Sequence, residues 1–151
     1  MVLTDYDEKR YHRQMLISGF GLEGQVRLKS ATVFVAGAGG LGSPIAIYLA
    51  VAGVGHIILV DMDVVDPSNL SRQILHWDEN IGQKKVVSGV AKLRRLNPEV
   101  RITALDVTID DRNVYELTKD ADVIVDAMDN YPTRFLPVSY THLTLPTIYS
   151  V

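Results

Sequence analysis

Three glycines, Gly37, Gly39 and Gly42, stand in the spacing G-x-G-x-x-G, and an acid, Asp61, follows 19 residues after the last of them. Glycines so placed allow a tight turn and let backbone approach a phosphate. They also aim the N–H groups of a helix start at an anion, while the acid can accept hydrogen bonds from ribose hydroxyls. A nicotinamide dehydrogenase would show the same turn and the same acid. The stretch that discriminates comes next, where "DPSNLSRQ" and "IGQKKV" bring Asn69, Arg72, Gln73, Lys84 and Lys85 shortly after the acid. Hydride transfer needs no cation there, whereas cleaving a triphosphate needs fixed positive charge and usually magnesium.

These residues need a frame, and the order of elements supplies one. From Ala31 to Val60 there is no charged side chain, but six glycines and Pro44 interrupt the run, so it does not form one membrane-spanning helix. "TVFVA" reads as a buried strand and "SPIAIYLAVAG" as a helix with Ser43 at the N-cap, Pro44 in the first turn and Gly53 at the C-cap. "HIILVD" reads as a second buried strand. Upstream, "TDYDEKRYHRQMLI" and "LEGQVRLKS" have helical spacing, with Thr4 or Asp5 capping the first. Downstream, "KKVVSGVAKLRRLN" puts Val86, Val90, Leu93 and Leu96 on one face, with Lys84, Lys92 and Arg95 largely off it. "RITALDV" (strand), "DDRNVYELTKD" (helix) and "ADVIVDAM" (strand) follow. The alternation predicts an α/β, Rossmann-like fold: a mainly parallel sheet flanked by helices, breaking off after about the fourth strand, with an N-terminal helical segment.

Composition excludes several classes. The chain has 151 residues, 47% hydrophobic and 22% charged, with net charge −3, which gives no reason to expect nucleic acid or an anionic membrane as partner. There is no cysteine, hence no disulfide, thiolate metal site or thiol nucleophile. The charged N-terminus lacks the apolar region of a signal peptide, so a cytoplasmic location is expected. His12, His56, His76 and His142 are too scattered for a metal site and are expected at the surface or in packing.

Taken in order, "RYHRQ", "GAGGLGSP", "LVDMDVVDPSNLSRQ", "IGQKKV" and "DAMDNYPTR" resemble the ThiF/MoeB/HesA group, the ubiquitin-activating-enzyme-like adenylyltransferases of sulfur-carrier proteins. The resemblance covers about residues 10 to 135. It implies use of ATP and Mg²⁺ to adenylate the C-terminal glycine carboxylate of a ubiquitin-like sulfur-carrier protein, ahead of sulfur transfer in thiamine or molybdenum-cofactor synthesis. It implies that Gly40 and its neighbours lie against the nucleotide and that Asp61 holds the ribose. Ser68, Asn69, Leu70, Ser71 and Arg72 would line the nucleotide, with Asn69 and Arg72 reaching phosphates. Lys85 would be the fixed cation, Asp129 the Mg²⁺ ligand with Asn130 beside it, and Arg13 would cross a homodimer interface to the neighbour's triphosphate.

Blander roles compete with each. Asp61 could end a strand in solvent, Arg72 could form a surface ion pair, and one of the adjacent lysines, 84 and 85, should be solvated. Arg13 could simply face water. Asp63 and Asp66 read as loop residues, and Asp126 as a structural strand end. An NAD(P)-binding oxidoreductase domain and a non-catalytic interaction module are the other function classes.

The C-terminus departs from the family. After "DNYPTRF" the chain reads "LPVSYTHLTLPTIYSV", with no charge after Arg134 and two prolines, more like adaptor read-through than any part of the family. Residues 1–135 are accordingly expected to form an ATP-binding, Rossmann-like adenylyltransferase domain, the N-terminal half of a longer enzyme, and 136–151 a non-native or disordered tail. The family's zinc-binding cysteines and its transfer cysteine would lie downstream.

Overall fold

The computed structural model describes residues 2–128. Four strands, β1 (Thr32–Ala36), β2 (His56–Val60), β3 (Arg101–Leu105) and β4 (Val123–Asp126), form one parallel sheet in the order β3-β2-β1-β4. Val33 of β1 pairs with Ile57 of β2 on one side and with Val123 of β4 on the other, and Ile57 pairs with Ile102 of β3. Strand order therefore reverses beside β1: β2 and β3 step to one side, β4 to the other. A crevice at the carboxyl ends of strands at such a reversal is where open α/β sheets bind ligands.

Among the described residues the helices are α1 (Asp5–Met15), α2 (Gly21–Ser30), α3 (Gly42–Ala52), α4 (Lys85–Leu96) and the single-turn α5 (Val114–Thr118). Alternation along β1 divides the core. Val33 and Val35 join Ala46 and Ala50 of α3 and Val86, Val90 and Leu93 of α4 on one face, while Phe34 and Ala36 join Val60, Ile109 and Val114 on the other. Burial on both faces explains the absence of charge in β1 and β2, whereas α3 between them leaves Tyr48 and Val51 exposed. No helix among the described residues is long and apolar enough to cross a membrane.

Helix ends match their sequence signals unevenly. Thr4 caps α1 in a reciprocal box with Asp7, whose buried carboxylate also pairs with Lys29 of α2. Gly53 ends α3 at φ 85°, a conformation that favours glycine. Ser43 is not the N-cap expected of it. It lies inside the first turn of α3, and its hydroxyl donates to the Ala38 carbonyl at 3.1 Å. On α4 the apolar face extends as expected through Leu93, but Leu96 is 39% exposed and Lys92, expected off that face, is 6% exposed. Lys92 is covered because Trp77 lies over its ammonium and Asn80 and Ser88 accept from it. The proposed boundary at residue 135 and the tail 136–151 lie outside the described residues.

Candidate functional site

The glycine turn follows β1 directly. Gly37 sits at φ 101°, and a Cβ there would press on the Ala127 carbonyl at 2.9 Å, so only glycine fits between β1 and β4. A Cβ on Gly42 would overlap the Gly37 carbonyl oxygen, so this residue closes the turn against α3. Gly42 does not line the hollow described below; its contribution is packing. The amides of Gly39, Gly40 and Leu41 find no acceptor among the described residues. They sit at the start of α3, where unpaired N–H groups and the helix dipole both favour an anion.

Asp61 follows β2 and bridges to this turn. Its Oδ2 accepts from Ala38 N and its Oδ1 from Asp63 N, both at 2.8 Å. A carboxylate offers about four lone-pair positions, so each oxygen retains capacity for a further donor.

Lys85 and Lys84 are separated by backbone geometry. An isolated antiparallel bridge joins Val64 to Lys84, and Lys85 N donates to Asp63 O at 3.0 Å. Adjacent side chains on such a segment point opposite ways. Lys84 turns outward to the Met62 carbonyl and the Asp106 carboxylate. Lys85, 5% exposed, turns inward and pairs with Asp63 at 2.8 Å. Asp63, read as a loop residue, thus belongs to the site. The sequence signal for it is its place two residues past Asp61, on the same side of an extended segment.

The loop from Asp66 to Gln73 brings in a second cation. Asp66 and Asn69 cap a short 3-10 turn reciprocally: Ser68 N donates to Asp66 Oδ1 at 2.8 Å and Asp66 N to Asn69 Oδ1 at 3.3 Å. The Ser68 hydroxyl and amide hold the Asp66 carboxyl below the usual carboxylate range. The Asn69 carbonyl then accepts from both Arg72 N and Gln73 N, which aims those two side chains towards the glycine turn. Arg72 is exposed, with its Cδ 3.6 Å from where a Gly40 Cβ would lie. Gln73 is 4% exposed and its Oε1 has no partner among the described residues.

Gly37, Gly39, Gly40, Asp61, Asp63, Arg72, Gln73 and Lys85 all line one hollow of about 490 Å³. Its other wall is largely apolar, from Met62, Val107, Ile109 and Met128. One enclosure therefore joins unpaired amides, two cations and an acid to an apolar end, the chemistry of a phosphorylated ligand with a flat base. Ser68, Asn69, Leu70 and Ser71 do not line it, and the Asn69 side chain is engaged in its cap. Arg13 is exposed on α1 and likewise stands outside its own chain's hollow. Asp126 accepts from Met128 N at 3.0 Å. Asp129 and Asn130 lie outside the described residues, and no group of three potential metal ligands occurs among the described ones. Of the histidines, His12 is exposed, His56 bonds Thr103 and Arg101, and His76 is buried beneath the turn.

Comparison with known proteins agrees with this geometry. The chain is 49% identical over 133 residues to the sulfur carrier protein adenylyltransferase of Thermus thermophilus, a match covering 88% of this chain and 49% of that one. It is 48% identical over 134 residues to the adenylyltransferase and sulfurtransferase MOCS3 of Bos taurus, covering 89% of this chain and 30% of that one. The chain thus spans about half the length, or less, of these relatives. Among solved structures, the tRNA N6-threonylcarbamoyladenosine dehydratase TcdA of E. coli in complex with ATP superposes with a TM-score of 0.89 at 29% identity, over 97% of this chain and 60% of that one. The ThiF family profile matches residues 11–150, and the chain belongs to the ThiF family.

Proposed function

We propose that this chain carries the nucleotide site of an ATP-dependent adenylyltransferase that activates the C-terminal glycine carboxylate of a ubiquitin-like sulfur-carrier protein. The convergence of Gly40, Asp61, Arg72 and Lys85 on one hollow supports the reading more than any other observation. The named activity of the Thermus and bovine relatives and the ATP held by TcdA support it as well.

The attacking group is a carboxylate, already ionised at neutral pH, so no general base is needed. The obstacle is bringing one anion onto the α-phosphate of another while pyrophosphate departs. Catalysis is then positioning and electrostatics. The open amides of Gly39, Gly40 and Leu41 receive phosphate oxygens, and the free lone pairs of Asp61 receive ribose hydroxyls. The base lies towards Met62, Val107 and Ile109. Lys85 is held ready by Asp63, whose carboxylate is 56% exposed and can return to water when phosphate takes the ammonium. Arg72 closes from the solvent side. Both cations counter the charge that gathers on the phosphates.

Magnesium would neutralise further phosphate charge. The described residues do not form a binding set for it, and the resemblance assigns that role to Asp129 with Asn130. The resemblance gives Arg13 to the neighbouring site of a homodimer, and its exposure outside its own hollow leaves it accessible for that role.

Titration with ATP and with NAD tests the reading. ATP binds and NAD competes poorly if it is right. Preference for NAD, or absence of pyrophosphate exchange in the protein supplied with a sulfur carrier and its family's downstream half, would overturn it.

A further inference from the structure

Ala38 has no exposed surface, and its two neighbours in the turn are Gly37 and Gly39, which restrain its peptide groups least of all residues. The restraint comes from outside the turn. Ala38 N donates to Asp61, and the Ala38 carbonyl accepts from Ser43 Oγ and, at 2.8 Å, from His76 Nε2. A carbonyl oxygen only accepts, so Nε2 carries the hydrogen. The neutral ring then offers Nδ1 as acceptor to the Ser88 hydroxyl at 3.0 Å, and Ser88 Oγ in turn accepts from Lys92 Nζ at 3.1 Å. Every bond in this chain of donors runs one way, from Lys92 through Ser88 and His76 to Ala38. Ser88 and Lys92 sit on α4, whose first residue is Lys85.

His76 is 3% exposed and takes no part in the chemistry proposed above. Resting on that adenylating reading, we propose that His76 is a positioning residue: its Nε2–H clamps the Ala38 carbonyl and ties the glycine turn to the helix that carries Lys85. The phosphate-binding amides and the fixed cation are thereby held at one spacing before any nucleotide arrives. Charged groups around the ring agree with a neutral clamp. Burial disfavours the imidazolium most, and the ammonium groups of Lys92 and Lys85 add to it, against the opposing pulls of the Ala38 carbonyl and of Asp61.

The test uses the whole chain and two substitutions, His76→Phe, which fills the ring space without a donor, and His76→Gln, whose amide can place a donor near the position of Nε2. Ring ¹⁵N shifts of the unmodified protein should report the neutral Nε2–H tautomer from about pH 6.5 upward. In His76→Phe the hydrogen-bonded amides of Gly37, Ala38 and Ser43 should exchange about tenfold faster while those of β3 are unchanged. ATP should bind about tenfold more weakly, as for loss of one buried hydrogen bond, and His76→Gln should restore most of both effects. An Nδ1–H tautomer overturns the clamp even if His76→Phe fails to fold. Glycine-turn amides and ATP affinity indifferent to either substitution overturn it too. A clamp that passes the tautomer and exchange tests in a chain that ignores ATP would instead overturn the adenylating reading and leave the clamp as a structural tie.

Discussion

Two segments meet where Arg72 lies against Gly40 at the hollow, and they are built in opposite ways. The turn from Gly37 to Ser43 is bonded into the core from several sides: Gly37 N to Val60 O, Ala38 to Asp61 and His76, Ser43 back to Ala38. The loop from Asp66 to Arg72 satisfies itself with short-range bonds among Asp66, Ser68, Asn69 and Arg72 and leaves Ser68, Ser71 and Arg72 exposed. Backbone tied into the core at several points holds one geometry even where its outward amides stand open, whereas locally bonded, solvated backbone costs little to shift. On the function proposed above, a polyanion would meet a preset floor and an adjustable arm. Lys85 belongs with the floor and Arg72 with the arm.

The sharpest break in this comparison should come from Lys85→Ala. In the protein with its family's downstream half, adenylation should fall by roughly 10²–10³ while circular dichroism is unchanged. A rate within a few-fold of the parent would remove Lys85 from the mechanism. Next, Gly42→Ala forces a methyl into the Gly37 carbonyl and should cost about 1–3 kcal/mol, seen as a lower melting temperature together with lost ATP binding. Ser71→Ala, in the arm, should stay within about 0.5 kcal/mol of the parent, and an equal loss at both positions would dissolve the distinction.

Arg72→Ala separates the two further. ATP affinity should drop about tenfold with no change in melting, because the guanidinium is solvated until a phosphate arrives. A large stability loss would mean that the arm is part of the core.

The smallest effect concerns pH. His76 has its pKa lowered in the fold, by burial first, so the unfolded chain binds the proton more readily than the native one. The stability linked to burying a neutral ring is full above about pH 6.5 and is lost as pH falls through the lower native value. Urea unfolding at successive pH values should show stability rising with pH in that window, and His76→Gln should flatten the rise. The lowered pKa of Asp66, fully solvated in the arm, should leave no comparable trace.

Much of the frame was legible before any coordinates. The strand TVFVA, the glycine turn, the C-cap at Gly53 and the following strand are local signals, decided by side-chain shape and backbone freedom within a few residues. The α5 segment was overread, since five residues of helix survive from the span DDRNVYELTKD. Of the residues singled out in the sequence, Gly37, Gly39, Gly40, Asp61, Arg72 and Lys85 line one hollow, whereas Gly42 and Ser68 to Ser71 do not. Asp63 reads as a loop residue despite standing two residues past Asp61, and nothing in the immediate neighbours of His76 marks it as a partner of the turn.

By itself, then, the sequence determined the order of strands and helices, the place of the phosphate-type turn and the membership in one family, because these depend on short-range periodicity and on motifs kept in order. The resemblance named Lys85 over Lys84, but only the tertiary structure turned one inward and the other outward, paired Lys85 with Asp63 and buried His76 and Lys92. Those outcomes depend on an antiparallel bridge across 20 positions and on a ring, a hydroxyl and a carbonyl drawn from three separate segments. Burial and hydrogen-bond partnership are properties of neighbours in space, and spacing along the chain does not contain them.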